Sequence, residues 1–216
     1  MNKIKAILTA TLLSFVSFTW VSSALAIELS AMGVGMTSGA WMGSGKEVMG
    51  TAAGETTEED GAFEDGAVNI FFEVSATDNI SIGLEYWPDS VDTPENTNTQ
   101  GSTTNTVKAS FSNHLTLYGQ VGLPLGLYAK AGVIYVDIDT KESLATGSAY
   151  SDADTMGYSL GFGYQHTLDN DVFIRAEVNA ASYDDVSATS TVEAAKVVTV
   201  SDMYGAYGSI KIGKSF

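Results

Sequence analysis

The sequence contains no cysteine and only three prolines, Pro88, Pro94 and Pro124. Without cysteine the chain forms no disulfide and carries no lipid-anchored thiol. After residue 26 it has no apolar run long enough for a membrane-spanning helix, so helical spans are excluded there. Stability must therefore come from another kind of secondary structure and from its surroundings.

Basic residues are scarce, with ten lysines and arginines against 26 aspartates and glutamates. Two of the ten, Lys3 and Lys5, precede an apolar run over 6–21 and the small residues Ala24-Leu25-Ala26. This order is typical of a secretory signal peptide over 1–26, cleaved after Ala26; a single membrane helix is the alternative, but the run is short for one. Loss of the two lysines lowers the net charge from −16 to −18, which excludes nucleic acid as a partner.

The last stretch of the chain alternates with a period of two. Tyr204, Ala206, Ile210, Ile212 and Phe216 share one face, with an aromatic residue at each end, and the other face is small or polar. Period two predicts a strand, and aromatic residues at both ends of an apolar band suit the two boundaries of a membrane. We predict a closing strand of a transmembrane barrel, in which Tyr204, Ile210, Ile212 and Phe216 act as an assembly signal.

The same alternation recurs in seven earlier segments, at about 27–37, 67–77, 80–87, 107–122, 127–138, 156–166 and 173–183. Long polar and acidic loops are predicted at 43–66, 89–105, 139–152 and 184–201, and tight turns at 78–79, 123–126 and 168–171. Residues 197–200 are expected to extend the closing strand. Loops on one side and turns on the other predict an all-β fold over 27–216, an eight-stranded antiparallel up-and-down transmembrane β-barrel.

A soluble eight-stranded barrel of the lipocalin kind has the same length. Its interior would have to be an apolar core, whereas here the polar residues and glycines fall on the inner face. On the strand over 127–138, however, Ile134 and Val136 interrupt this polar inner face.

The leader, the run Leu160-Gly161-Phe162-Gly163-Tyr164 and the ending Gly213-Lys214-Ser215-Phe216 together resemble the bacterial outer-membrane β-barrel domain family. Small barrels similar to the OmpA transmembrane domain, and porin-family proteins, belong to this group. The resemblance implies a monomer in the Gram-negative outer membrane, with both termini on the periplasmic side. It implies as partners lipid and lipopolysaccharide, the barrel-assembly machinery and periplasmic chaperones. These motifs specify assembly and location, not activity.

The inner face collects three acids and three bases, namely Glu73, Glu85, Lys130, Arg175, Glu177 and Lys211. Charges inside a membrane protein often serve an ion path or a proton-active site. The alternative is a paired network that fills a barrel too narrow to conduct, because eight strands leave room only for side chains. We favour the structural network, since equal numbers of acids and bases let each buried charge find a partner.

Catalytic and metal signals are weak. The two histidines are His114, with no acid partner evident in sequence, and His166, on the apolar face near a turn. No Gly-x-Ser-x-Gly motif occurs, and the acidic groups at 58–60 and 184–185 lack the spacing of a calcium loop. We expect no cofactor and no metal site. The predicted function is a non-enzymatic scaffold presenting four acidic extracellular loops, for envelope integrity or surface interaction; the alternatives are a narrow porin-like channel and, less favoured, a lipid-modifying enzyme.

Overall fold

The computed structural model describes residues 28–48, 56–100, 103–145, 147, 149–192 and 196–216. The predicted signal peptide and its cleavage after Ala26 lie outside these residues. The strands are β1 (Leu29–Val48), β2 (Thr56–Thr77), β3 (Ile80–Trp87), β4 (Val91–Asp92), β5 (Asn96–Gln100), β6 (Thr103–Gly122), β7 (Leu127–Ser143), β8 (Ala153–Thr167), β9 (Val172–Tyr183), β10 (Val186–Thr189) and β11 (Val197–Ser215).

Eight of these strands form a closed ring. Hydrogen bonding runs in the order β1, β2, β3, β6, β7, β8, β9 and β11, and β11 pairs back onto β1 from Ala31–Ser215 to Val48–Val197. Every pairing is antiparallel, so the prediction of an eight-stranded antiparallel barrel is confirmed. The short strands β4 and β5 add to β6, and β10 adds to β11. None of the described segments forms a helix long and apolar enough to cross a membrane.

The two ends of the barrel differ in their connections. At one end, here called the turn end, the strands are joined by the three predicted tight turns at 78–79, 123–126 and 168–171. The middle turn is a 3-10 turn, in which Leu125 and Gly126 both adopt positive φ angles. The N-terminal end of β1 and the C-terminal end of β11 also lie at the turn end. The opposite end, the loop end, carries the four long connections.

Much of what was predicted as loop is strand. The predicted strand over 27–37 and loop over 43–66 are wrong in extent, because β1 and β2 stay paired as far as Val48 and Thr56. Ladder hydrogen bonds outweigh the low strand propensity of the acidic residues at 58–60. Similarly, β7 extends to Ser143, and β4 and β5 lie within 89–105. The predicted extension over 197–200 is confirmed as part of β11.

The barrel is apolar outside and polar inside. Outward side chains such as Leu160 and Ile210 are 69% and 60% exposed, whereas inward Glu85 and Lys211 are 3% and 1% exposed. Soluble barrels show the opposite arrangement. Because successive strand residues point to opposite faces, the period-two pattern of the sequence determines which residues enter the lumen.

Candidate functional site

The structure brings the six predicted charged residues together in the lumen. They come from five strands, all on the inward face and all between 1% and 7% exposed. We call them the charge network; its members are Glu73 on β2, Glu85 on β3, Lys130 on β7, Arg175 and Glu177 on β9, and Lys211 on β11. Lys211 and Arg175 are direct cross-strand partners.

One part of the network is a two-pronged ion pair. The guanidinium of Arg175 donates from both terminal nitrogens to the carboxylate of Glu73, at 2.5 and 2.7 Å. Its Nε donates to Gln165 at 2.7 Å, and the Tyr118 hydroxyl donates to Glu73 at 2.7 Å. Such paired, charge-assisted hydrogen bonds fix geometry as well as compensate charge.

The other part joins two lysines to two glutamates. Lys211 donates to Glu85 and to Glu177, each at 2.7 Å, and Lys130 donates to Glu85 at 2.7 Å. The Lys130 ammonium also lies 3.6 Å from Glu177. The remaining carboxylate oxygens accept from Tyr128 at 2.6 Å and from Trp87 Nε1 at 3.0 Å. Each buried charge thus meets an opposite charge, as burial requires.

Aromatic rings pack against these charges. Phe71 and Phe173 have ring centres 6.1 Å apart, and the Arg175 guanidinium lies 5.1 and 4.6 Å from them. The two strands between them place Gly33 and Gly213 on the inner face, which lets the rings approach. The rings fill space that the charged side chains leave open.

Glycines make room for the two network tyrosines. A Cβ atom added at Gly83 would lie 2.3 Å from the Tyr118 ring, and one at Gly163 would lie 2.4 Å from the Tyr128 ring. Tyr128 and Trp87 were not among the residues predicted for the network. The available signal was the combination of inward aromatic residues with inward glycines on neighbouring strands.

An apolar layer lies between the charge network and the loop end. Trp87, Ile134 and Tyr207 each stand nearer the loop end on their strands than the charged residues Glu85, Lys130 and Lys211. Ile134 is fully buried here, and Val136 is 1% exposed. The break in polarity seen in the sequence of β7 is therefore a change of lumen character along the barrel.

The two histidines lie in different environments. His114 is buried and stacks on Trp87, with ring centres 4.0 Å apart, and its Nε2 lies 3.4 Å from the Tyr183 hydroxyl. His166 is exposed at the turn end. Within the part of the chain that the structure describes, no cluster of three or more His, Cys, Asp or Glu residues could hold a metal ion.

The loop end is acidic and weakly neutralised. Glu58, Glu59 and Asp60 are all exposed on β2. Asp92 on β4 accepts from Lys108 at 2.6 Å and from Ser110 at 2.5 Å. These hydrogen bonds connect β4 to β6. They also stabilise the charged form of Asp92 and lower its pKa to about 2.

The sequence matches the model of the outer membrane protein beta-barrel domain family over residues 9–200. The chain belongs to this family. The resemblance found in the sequence is confirmed, and the ring of strands is that of a bacterial outer-membrane β-barrel. A comparison with curated proteins found no match.

Solved structures of similar shape include outer-membrane proteins. The outer membrane protein AlkL in lipid bilayers is 13% identical, with 91% of this chain and 95% of AlkL covered and a TM-score of 0.49. Ail, the attachment invasion locus protein of Yersinia pestis, is 11% identical, with coverages of 88% and 100% and a TM-score of 0.40. The outer membrane protease OmpT from Escherichia coli is 10% identical, with coverages of 90% and 99% and a TM-score of 0.49.

In an outer-membrane β-barrel the exposed apolar belt faces lipid. The four residues of the predicted assembly signal lie on this outward face, and Tyr204, Ile210, Ile212 and Phe216 are 48%, 60%, 51% and 69% exposed. Lys214, at the turn end, donates to the carbonyl of Asn170 at 3.1 Å. The outward position of the four leaves them available for recognition, and their role in assembly stays a prediction.

Proposed function

We propose that this outer-membrane β-barrel is a closed, non-enzymatic membrane anchor that presents an acidic surface outside the cell, for envelope integrity or surface interaction. The observation that carries the proposal is the charge network, whose six side chains lie across the lumen and pair with one another. A barrel filled in this way anchors and positions its loop end and does not conduct.

Opening a path would mean separating buried ion pairs. Eight strands leave an interior just wide enough for side chains, and the packed layer of Trp87, Ile134 and Tyr207 lies between the network and the loop end. Removing one partner of a buried pair typically costs about 3–5 kcal/mol. An ion passing Arg175 and Lys211 would meet at least two such pairs, so the resting lumen is closed.

The loop end carries the surface function. Short turns face the periplasm and long connections face outward in outer-membrane barrels, which places the exposed acids of β2 outside the cell. A cluster of exposed carboxylates repels anionic partners and favours contacts with cations or contacts bridged by divalent ions. We further propose that a signal peptide exports the chain and is cleaved after Ala26. The barrel-assembly machinery and periplasmic chaperones then fold the chain as a monomer among lipid and lipopolysaccharide.

Planar-bilayer conductance tests the closed lumen. Protein refolded in detergent is first checked for folding by its heat-dependent migration on a gel and then added to the bilayer. We expect no current steps from the folded barrel. Reproducible steps that change in Glu177→Gln, but not in the lipid-facing neighbour variant Val178→Ala, would establish a channel and overturn the proposal.

A further inference from the structure

The loop end of the barrel contains an open-mouthed cavity of about 730 Å³. Its walls are mainly apolar and aromatic, and include Trp41, Phe63, Trp87, Phe111, Val136 and Tyr183. Cavities that bind small molecules range from roughly 300 to 1,000 Å³ and have mostly apolar walls with a few polar groups. An anchor that only had to fill its lumen would pack side chains here instead of leaving this space.

The cavity has a closed floor. Trp87 and the His114 ring stacked on it lie at its base, with Ile134 and Tyr207 packed in the same apolar layer. Beyond that layer comes the charge network. A molecule entering from the loop end is therefore retained, not passed through the lumen.

One polar atom in the cavity wall lacks a partner. His114 is 5% exposed and lines the cavity, and its Nδ1 has no hydrogen-bond partner among the described residues. A buried polar atom without a partner is costly, and a ligand can supply the missing bond. A hydroxyl group suits either tautomer of the ring, because it both donates and accepts.

The charged groups of the cavity disfavour an anionic ligand. Glu47, Glu95 and Glu142 contribute to its walls. The lysine present, Lys108, is paired with Asp92. A carboxylate or phosphate placed among these acids would be repelled. An ammonium group can only donate a hydrogen bond, whereas a neutral hydroxyl suits either tautomer of His114.

We propose that this cavity binds one neutral amphiphile, a molecule with an alkyl or aromatic body and a single hydroxyl group directed at His114. The cavity also reaches Met42 and Tyr204, which face outward beside the irregularity in strand register between Met42 and Ser44. The same alkyl chemistry is found in free alcohols and in membrane lipids, so the experiment has to distinguish these two sources.

Tryptophan fluorescence reports on the cavity directly. After residue 26 the chain has two tryptophans, Trp41 and Trp87, and both line the cavity. The probe is a dodecanol brominated on its chain, added to the folded barrel in detergent, because bromine quenches nearby indole emission. We expect saturable quenching with one probe per barrel.

A matched pair of variants separates binding from partitioning into detergent. Val136→Phe fills the cavity and is expected to weaken binding at least about tenfold. Val133→Phe makes the same change on the outward face of the same strand, where Val133 is 40% exposed, and should leave binding unchanged. If Val136→Phe does not fold, Ala188→Leu fills the cavity from β10 instead. Linear, unsaturable quenching that is equal in all variants would overturn the proposal.

Two further arms test the ligand class and its source. Wild type should bind the brominated alcohol several-fold more tightly than brominated dodecane or dodecanoate, and His114→Phe should lose the preference over dodecane. Absence of any preference in wild type would refute the role of His114. Unlabelled dodecanol should displace the probe. If added phospholipid also displaces the probe, the natural ligand is a lipid chain; if phospholipid does not displace it, the natural ligand is a free alcohol.

Discussion

Replacing Arg175 with alanine removes the cation from a buried ion pair of the lumen, in which both side chains are 3% exposed. The change deletes two hydrogen bonds to Glu73, at 2.5 and 2.7 Å, and one to Gln165 at 2.7 Å. Among the described residues, the carboxylate of Glu73, which is 3% exposed, then keeps the hydroxyl of Tyr118 as its hydrogen-bond donor. We expect a loss of about 3–5 kcal/mol in the free energy of unfolding, because an uncompensated charge stays buried.

Urea-induced unfolding in lipid vesicles, followed by tryptophan fluorescence, measures this loss through linear extrapolation. The informative control removes both charges, as Glu73→Gln combined with the same Arg175→Ala change. Replacing a whole buried pair by neutral groups is often nearly neutral, so the double variant should recover most of the loss. A double-mutant cycle then isolates the coupling between the two residues.

Two results would refute this reasoning. A loss below about 1 kcal/mol for Arg175→Ala would mean that water reaches Glu73 and compensates its charge. A double variant as unstable as the single one would mean that Arg175 stabilises the barrel by filling space between Phe71 and Phe173, not by its charge.

The remaining predictions concern the lumen, the loop end and the orientation. Gly83→Ala should lower the free energy of unfolding by about 1–3 kcal/mol, since the new Cβ would lie 2.3 Å from the Tyr118 ring. Gly119→Ala, where a new Cβ would have no atom within 4 Å, should change it by less than about 0.5 kcal/mol. Equal effects of the two variants would disprove close packing at Gly83. In an NMR titration Asp92 should show a pKa of about 2, rising toward the usual aspartate value in Lys108→Met. Because the pKa of Asp92 is lower in the folded than in the unfolded chain, Asp92 stabilises the β4–β6 contact at pH values above its unfolded pKa, and this contribution is lost as the pH falls toward its folded pKa. An Asp92 pKa that stays unchanged in Lys108→Met would contradict the pairing. On intact cells a bulky, impermeant maleimide should label Glu59→Cys and not Asp169→Cys, against a background free of native cysteine, and the reverse pattern would invert the proposed orientation.

The barrel fold and the set of residues that face its lumen could be predicted, because both depend on a local property of the sequence, its period of two. Once a segment is a strand, Lys211 and Ile212 must point to opposite sides. The three tight turns were equally local. Strand parity alone was thus enough to select the six residues that the structure brings together.

The ends of the strands could not be predicted in the same way. Beyond the apolar band, residues such as Glu58 and Glu59 have water on the outward side and need no alternation, so the pattern disappears while the hydrogen-bonded ladder continues. Which aromatic residue meets which charge was also out of reach. The contact of Tyr128 with Glu177 joins residues 49 positions apart, and depends on the stagger of the strands.

The cavity left only an indirect trace in the sequence. Ile134 and Val136 were seen as apolar residues on an otherwise polar face, without an explanation. The apolar walls come from strands all round the barrel, and their common height depends on the register of every pair between them. A correct register would also have paired Trp87 with His114, which are direct cross-strand partners.

The most direct test of the closed lumen uses the single arginine of the sequence, Arg175. Solid-state NMR of the barrel in lipid bilayers, with ¹⁵N-labelled arginine and ¹³C-labelled glutamate, measures contacts from one guanidinium without ambiguity on that side. We expect strong dipolar coupling of both terminal guanidinium nitrogens to one glutamate carboxyl carbon, and loss of this coupling in Glu73→Gln. A mobile, hydrated guanidinium without coupling to any carboxyl carbon would contradict this expectation, and the lumen would be open at Arg175.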